Sequence, residues 1–508
     1  MKNIHFILLG SLLLGLSTPS CSDMLETKNF TDMTASNFFK SEGDIDAAVI
    51  GLYLPTTTNW GYSDGGTGSW YNSLFTADAN SYYVAGMLST DIVKPYSTNT
   101  FDEFTFGPAT GSALTNTYNV IRFVARATDV IQQTSQASSV NEEVRNRFIA
   151  ECKTLRAFYM YTLLDWFGPV NVKLDPSTLN DNTIDSRPNE STYVEYILKD
   201  LEEAINTTSF PEKYNNDESN WGRMSKAIAY AIRMRAYMHQ KDWTNAKTDA
   251  EQLMKMGFSI ISKYEDVFNT DRTSEHIWSV PANTASDNYY ITEVLPSDFK
   301  KGYNLKGRPY IRGTEEQFQP GWQAYCMRWD FYDTFDDNDI RKESILCEYD
   351  NLNGKRITRE TMSGALPIKY TDTQFYNPGI QKAMPIIRYA EVLLSFAEAE
   401  NELNGPTPQA IEAVEQITNR AHTSIPALVK TSRESFREFI LAERGRELFC
   451  EGQRRQDLIR HGVFISLARE RGNNAEDYHI LYPIPQNVII EAGGILKQNL
   501  GYPQSTSK

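Results

Sequence analysis

Cysteine is scarce in this chain: five in 508 residues, and no two of them form a CxxC pair. A structural zinc site needs closely spaced thiolates, and a disulfide scaffold needs a much denser cysteine framework. Neither is expected. The six histidines show no HExxH and no close pairing, so catalytic zinc lacks its ligands and the residues ask for no cofactor. Positive charge is also short. Against 65 Asp and Glu stand only 50 Lys and Arg, a net charge of −15. Nucleic acid wants clustered cations, and so does adhesion of a folded body to anionic lipid, so both partners are set aside. Beyond the N-terminus no stretch approaches the ~18–20 apolar residues that a membrane-spanning helix requires.

What is present is a globular balance, with 41% apolar and 23% charged residues. The length prior suggests about three domains, or one large helical one. The N-terminus has the build of a secretory signal over residues 1–20. Lys2 is the positive region, Phe6 to Leu16 the apolar one, and Thr18 and Ser20 the small residues of a cleavage site. Cys21 follows, in "GLSTPSCSDMLE". One reading is ordinary cleavage near Ser20, which releases a soluble protein. The other is a lipoprotein signal: Ser20 fits the small −1 position of a lipobox, although Thr18 and Pro19 depart from its usual Leu-Ala. Cys21 would then carry acyl chains, each buried CH₂ contributing about 0.8 kcal/mol to membrane binding.

Several segments carry the 3.6-residue apolar period of helices. Residues 113–133 read as one helix. Residues 141–167 read as a longer one, with Val144, Phe148, Cys152, Leu155 and Tyr159 on one stripe and Gly168-Pro169 as its stop. Helices follow at 190–206 and across 224–256. The second contains a Lys-Asp-Trp turn and then Ala246, Ala250 and Leu253, resembling half of a tetratricopeptide repeat. Residues 386–410 read as a helical hairpin, with Gly405-Pro406 at the bend, Thr407 as cap and Pro408 at the first helical position. A further helix is expected from a capping box at Thr431-x-x-Glu434 toward Phe449. Between these blocks lie two loop-rich regions, roughly 54–110 and 258–385, with short β-like runs such as 276–280. Long loops on a helical scaffold usually carry function.

Three motifs suggest chemistry and fall short of it. "GYSDG" (61–65) fits G-x-S-x-G, but Ser63 has neither the strand before it nor the helix after it that a nucleophile elbow needs. "DTFDDNDIRKE" (333–343) offers Asp336, Asn338 and Asp339 to a cation. An EF-hand, however, would need Gly where Arg341 stands and Glu where Cys347 stands, so an acidic loop paired with Arg341 is the reading. Glu443, Arg444, Arg446, Glu447, Arg454, Arg455 and Asp457 read as an ion network stitching helices together, because Arg suits bidentate carboxylate pairing. A glycosidase would need two carboxylates about 5–10 Å apart, which 65 acidic residues always permit.

Taken together, "CSDMLE", "ECKTLRAFYMYTLLDWFGPV" (151–170), "KDWTNAKTDAEQLM", "PIIRYAEVLLSFAEAENELNG" (385–405), "LAERGRELFCEGQRRQDLIRHG" (441–462) and "YPIPQNVIIEAGGILKQNLGY" (482–502) resemble the SusD/RagB family of outer-membrane nutrient-uptake lipoproteins. The resemblance implies a mostly α fold: a tetratricopeptide-like scaffold of helical pairs with long loop-rich insertions and a few short strands. It implies a leader (1–20), an N-terminal helical region (21–257) and a C-terminal region (258–508), packed as one body. It further implies lipidation at Cys21, an outer-membrane location facing the cell exterior, a glycan ligand, no catalysis, and a SusC-like TonB-dependent transporter as partner. A hydrolase, or a binder of peptide or siderophore, is the alternative.

Sugars present flat C–H faces ringed by hydroxyls, so their sites combine exposed aromatic rings with hydrogen-bonding groups. The first loop region offers Trp60, Tyr62, Trp70 and Tyr71, then Tyr82, Tyr83 and Tyr96. The second offers Tyr289, Tyr290, Trp322, Tyr325 and Trp329. Asn72, Asp78, Asn80, Arg312, Gln323 and Arg328 are candidate polar partners. Trp70 and Trp322 are expected to be exposed, in a shallow site joining the two regions and needing no metal.

Overall fold

The structure is a computed structural model that describes residues 38–63, 69–181, 184–282, 288–304, 307, 309–310, 321–370, 375–376, 379–380 and 382–504. The leader, Cys21 and Arg312 lie outside the described residues. Helices dominate. α1 (Glu42–Leu52) opens on a reciprocal cap, Ser41 accepting from the Asp44 N–H and Asp44 accepting from the Ser41 N–H. α2 (Ile121–Gln136) turns Phe123, Val124, Ala127 and Val130 inward. α3 (Glu142–Phe167) is capped by Asn141, carries Glu142 and Glu143 at its positive dipole end, and is buried without interruption from Thr154 to Phe167. It is the central rod, and α1, α2 and α4 (Glu190–Asn206) pack around it.

The row continues through α5 (Lys226–His239) and α6 (Trp243–Lys255), then α7 (Tyr389–Asn404), α8 (Pro408–Arg420) and α9 (Arg433–Glu447). α6 packs on both α5 and α7, and α7 on α8 and α9. The helical pairs therefore stack across the interval that separates them in sequence. One contiguous cluster of buried apolar side chains runs from Ile45 to Tyr502. Cys152 sits within it, its thiol pushed up by burial. No described helix is long and apolar enough to cross a membrane.

The Lys-Asp-Trp turn expected within 224–256 is found, parting α5 from α6, where Asp242 accepts from the Asn245 N–H. Three expectations need correction. The helix read over 113–133 is two, Gly111–Tyr118 and α2, with Asn119 and Val120 at the break. The segment before Tyr389 is a strand, Met384–Arg388. The cap of α9 is Ser432, accepting from the Ser435 N–H, whereas the Thr431 hydroxyl donates to the Leu428 carbonyl.

The strands join distant loop segments. β1 (Tyr62–Ser63) and β2 (Trp70–Tyr71) form a hairpin. β3 (Val93–Pro95) pairs with β5 (Tyr325–Met327), bringing the two loop regions together. β4 (His276–Val280), buried throughout, pairs antiparallel with β6 (Met384–Arg388).

Where β4 and β6 meet the helix ends, the expected ion network is found, and it is larger than the sequence suggested. Arg388 ends β6, is 1% exposed, and donates to Glu275 (2.7 Å), Glu447 (2.6 Å) and Glu451 (2.7 Å). Arg341 reaches Asp339, Glu443 (2.7 Å) and Glu447 (3.1 Å), so the Asp-rich loop pairs with Arg341. Arg420 of α8 joins Glu275 and Glu447. Arg444 meets Asp457, Arg454 meets Asp91, and Arg455 meets Asp165. Burial pushes the Glu447 carboxyl up, but Arg420, Arg388 and Arg341 together hold it well below the usual carboxylate range. Removing one member of such a set leaves charges buried and unpaired, at a cost of about 3–5 kcal/mol. Glu447→Ala is therefore expected to lower the urea unfolding free energy by about that amount, while Asp477→Ala, at the exposed Arg469 pair, leaves the curve unmoved. Equal curves for the two variants would contradict this role for Glu447.

Candidate functional site

The candidate site is assembled by a short helix, Tyr290–Val294, and the segment laid against its end. Asn288 accepts from the Tyr290 N–H (3.0 Å) and so fixes the start of the helix, which sets Tyr289 at its mouth. The chain returns at Gly321. The Trp322 N–H donates to the Thr292 carbonyl (2.7 Å), Gln323 to Leu295 (3.1 Å) and Ala324 to Glu293 (2.7 Å). A Cβ at position 321 would lie 1.7 Å from the Leu295 oxygen, so only glycine allows this approach. The same segment then runs into β5.

These constraints bring three rings from the two loop regions together. Trp60 lies 5.1 Å from Tyr289 and 5.0 Å from Trp322, centroid to centroid, and Tyr289 stacks on Trp322 at 6.0 Å and 16°. Trp322 is 43% exposed, and Trp60 and Tyr289 are half-buried. The β1–β2 pair carries a further exposed ring. Trp70, 62% exposed, lies so close to Gly61 that a Cβ there would come within 2.4 Å of its Nε1.

Other candidates are placed elsewhere. Tyr62 is buried against Phe123, its hydroxyl accepts from Asn119 (3.1 Å), and burial pushes its phenol up to about 12. Tyr290 and Tyr325 pack on each other in the core. Tyr83 is core as well, and Tyr82 donates to Asp165. Arg328 is committed to Asp102 and to the Val93 carbonyl. Trp329 donates to the Met362 carbonyl (3.2 Å) and is covered by Arg359 at 4.5 Å. Tyr71 faces Arg122 and lines a separate cavity of about 310 Å³ with Asn171 and Lys173. A cavity of about 220 Å³, lined by Asp165, Arg235, Glu391, Arg444 and Arg460 among others, belongs to the scaffold, where those arginines already have carboxylate partners. Ser63 sits in β1, and residues 64–68 lie outside the described residues.

The candidate polar partners of the first loop region are tied to one another. Asp78 accepts from the Asn72 side chain (2.8 Å) and from the Asn80 N–H (2.7 Å). Within its electrostatic reach is Glu293, which sequence reasoning missed. It stands four residues beyond Tyr289 on the short helix, hence on the same helical face. Glu293 is 5% exposed; burial, reinforced by Asp78, pushes its carboxyl up to about 8 from an ordinary 4.5. The folded state thus binds a proton that the unfolded state releases, so the contribution is intact below pH 4.5 and is lost as pH rises through 8. Glu293→Gln is expected to leave stability near that of the parent at pH 4 and to gain on it progressively up to about pH 8–9, as read by thermal melts. A stability difference that does not change over this range would contradict the assignment.

Comparisons with known proteins agree on one lineage. A family described as Susd and RagB outer membrane lipoprotein matches residues 38–333, and one described as the SusD family matches residues 341–502. A SusD-like protein of Formosa agariphila is 24% identical over 506 residues, covering 92% of this chain and 93% of its own. The starch-binding protein SusD of Bacteroides thetaiotaomicron is 23% identical, covering 71% of this chain and 73% of its own. Among solved structures, surface glycan-binding protein A from Bacteroides uniformis superposes with a TM-score of 0.73 at 22% identity, over 90% of this chain and 99% of its own. The Bacteroides thetaiotaomicron protein of the same name, in complex with laminarihexaose, gives 0.69 at 20% identity, with 90% and 99% covered. With family matches running from residue 38 to residue 502, the chain belongs to the SusD/RagB family of outer membrane lipoproteins.

Proposed function

We propose that this protein binds an oligosaccharide on Trp60, Tyr289 and Trp322 and delivers it, without hydrolysing it, to a SusC-like TonB-dependent transporter. The observation that carries the reading is the three-ring platform: Trp60, Tyr289 and Trp322 come from both loop regions and have centroids 5.0–6.0 Å apart. Aromatic faces match the C–H faces of pyranose rings, while Asn72, Asp78 and Asn80 supply hydrogen bonds to hydroxyls. Trp70, exposed on the strand laid against Gly61, would offer a further ring. The names of two relatives, one starch-binding and one complexed with laminarihexaose, support a glycan as ligand. Acylation at Cys21 would hold the protein at the outer membrane, facing the exterior, where a transporter could receive the ligand.

The test is calorimetry of the lipid-free protein against neutral oligosaccharides, beginning with laminarihexaose and maltoheptaose. Trp60→Ala and Trp322→Ala are each expected to weaken binding about tenfold or more, ~1.4 kcal/mol, and Trp70→Ala to weaken it less. Full affinity in both folded variants would overturn the placement. Binding of only a peptide or a siderophore would overturn the substrate class, and release of new reducing ends would overturn the non-catalytic reading. In cells lacking the transporter, Cys21→Ala is expected to move the full-length chain from the membrane to the soluble fraction. Retention at the membrane would overturn the anchor.

A further inference from the structure

The scaffold cavity of about 220 Å³ lies where α3, α5, α7 and α9 meet the short helix Arg454–Arg460. Its depth is graded. Tyr161, Arg235, Arg444 and Arg460, none more than 9% exposed, form the floor, while Ile459, Leu481, Ile480 and Lys241 rim the more open mouth. The arginines have carboxylate partners, yet those pairs do not use every donor. Arg235 gives Nε and Nη2 to Glu391 (2.7 Å each), and Arg460 gives the same two nitrogens to Glu398 (2.6 and 2.8 Å). Arg444 turns Nη1 to Ser395 (3.0 Å) and Nε toward Asp457 (2.9 Å). Nη1 of Arg235, Nη1 of Arg460, Nη2 of Arg444 and the Tyr161 hydroxyl make no hydrogen bond to a described residue, and packed protein does not seal them. The Tyr161 hydroxyl lies in the field of Asp165, Arg235, Glu391 and Arg460, which sets it on the same floor.

We infer that this cavity is a second binding site, apart from the aromatic platform, for a small molecule with one carboxylate and an apolar body. It stands whether or not the platform binds glycan. Guanidinium nitrogens left over from ion pairs are donors only, and donors on a water-poor floor call for an anionic acceptor. Among the lining residues Arg235, Arg444, Arg460 and Lys241 face Asp165, Glu190 and Glu391, one positive charge in excess in a chain of net −15. Burial keeps Tyr161 protonated and His239 neutral at pH 7, so neither alters that balance. The excess suits a monoanion, whereas a dianion would press uncompensated charge against three carboxylates. Met238, Ile459 and Leu481 offer apolar wall to the rest of the molecule. The volume restricts that body to a single small ring or a short chain.

Calorimetry on the lipid-free protein tests this with benzoate and butyrate, set against benzamide, phthalate and inorganic phosphate. Benzoate is expected to bind once per chain, and the three controls at least tenfold more weakly. Tyr161→Phe removes a donor and no charge, and should weaken benzoate about tenfold, as the loss of one hydrogen bond to a charged group does. Lys241→Gln, on the exposed rim, keeps the floor intact and should weaken it by less. A crystal structure with benzoate should place the carboxylate against Arg235, Arg444 and Arg460. Benzamide, phthalate or phosphate binding as tightly as benzoate would overturn the ligand class. Benzoate affinity unchanged in both variants, or benzoate found elsewhere in the crystal, would overturn the site. Failure of both monocarboxylates to bind at ~10 mM would overturn the inference as a whole.

Discussion

Three arginines converge on the single carboxylate of Glu447, and the arrangement of the molecule follows from that point. Arg388 arrives from the end of β6, Arg420 from the end of α8, and Arg341 from the Asp-rich loop. Glu275, immediately ahead of β4, closes the circuit with Arg388 and Arg420. A buried ion network adds little net stability over a well-packed apolar alternative, since desolvation cancels most of the attraction. What it does impose is a single acceptable arrangement, because each displaced member would strand a charge. The second loop region is thereby fixed to the last turns of α8 and α9 although it has little regular structure of its own.

The platform inherits that fixity by short steps. β4 and β6 are tied to the network, the β3–β5 ladder joins the first loop region to the second, and β5 continues directly from the segment that carries Trp322. Gly321 lets that segment lie against the end of the Tyr290–Val294 helix, and Gly61 lets Trp70 lie against the chain beside Trp60. Backbone contacts thus fix the segments that carry Tyr289 and Trp322, and the rings then pack on one another. Such prior ordering reduces what a ligand must spend on immobilising side chains when it binds.

The sequence was most informative where structure is local. The helices at 142–167 and 190–206 follow their apolar stripes to within a residue, because period and caps lie within the segment itself. The break at Asn119 was hidden because apolar residues continue across it at helical spacing, from Leu114 and Tyr118 to Phe123 and Val124. The strand Met384–Arg388 was hidden because a short apolar run fits a buried strand and a buried helix equally. The aromatic residues show the same limit. Tyr289 and Tyr290 are neighbours of one type, yet one borders the platform and the other is core, and loops have no period to tell them apart. Trp60, Tyr289 and Trp322 could be named from the sequence, but their convergence depends on the pairing of β3 with β5 and on the Gly321 contact. Glu293 could have been flagged only through its i,i+4 spacing from Tyr289, once that segment was known to be helical.

The central claim is that the three-ring platform is where ligand binds, and a crystal structure of the protein with a bound neutral oligosaccharide tests it most directly. The account requires pyranose rings stacked across Trp60, Tyr289 and Trp322. Sugar found instead in the cavity beside Tyr71 and Arg122, with the platform bare, would contradict it.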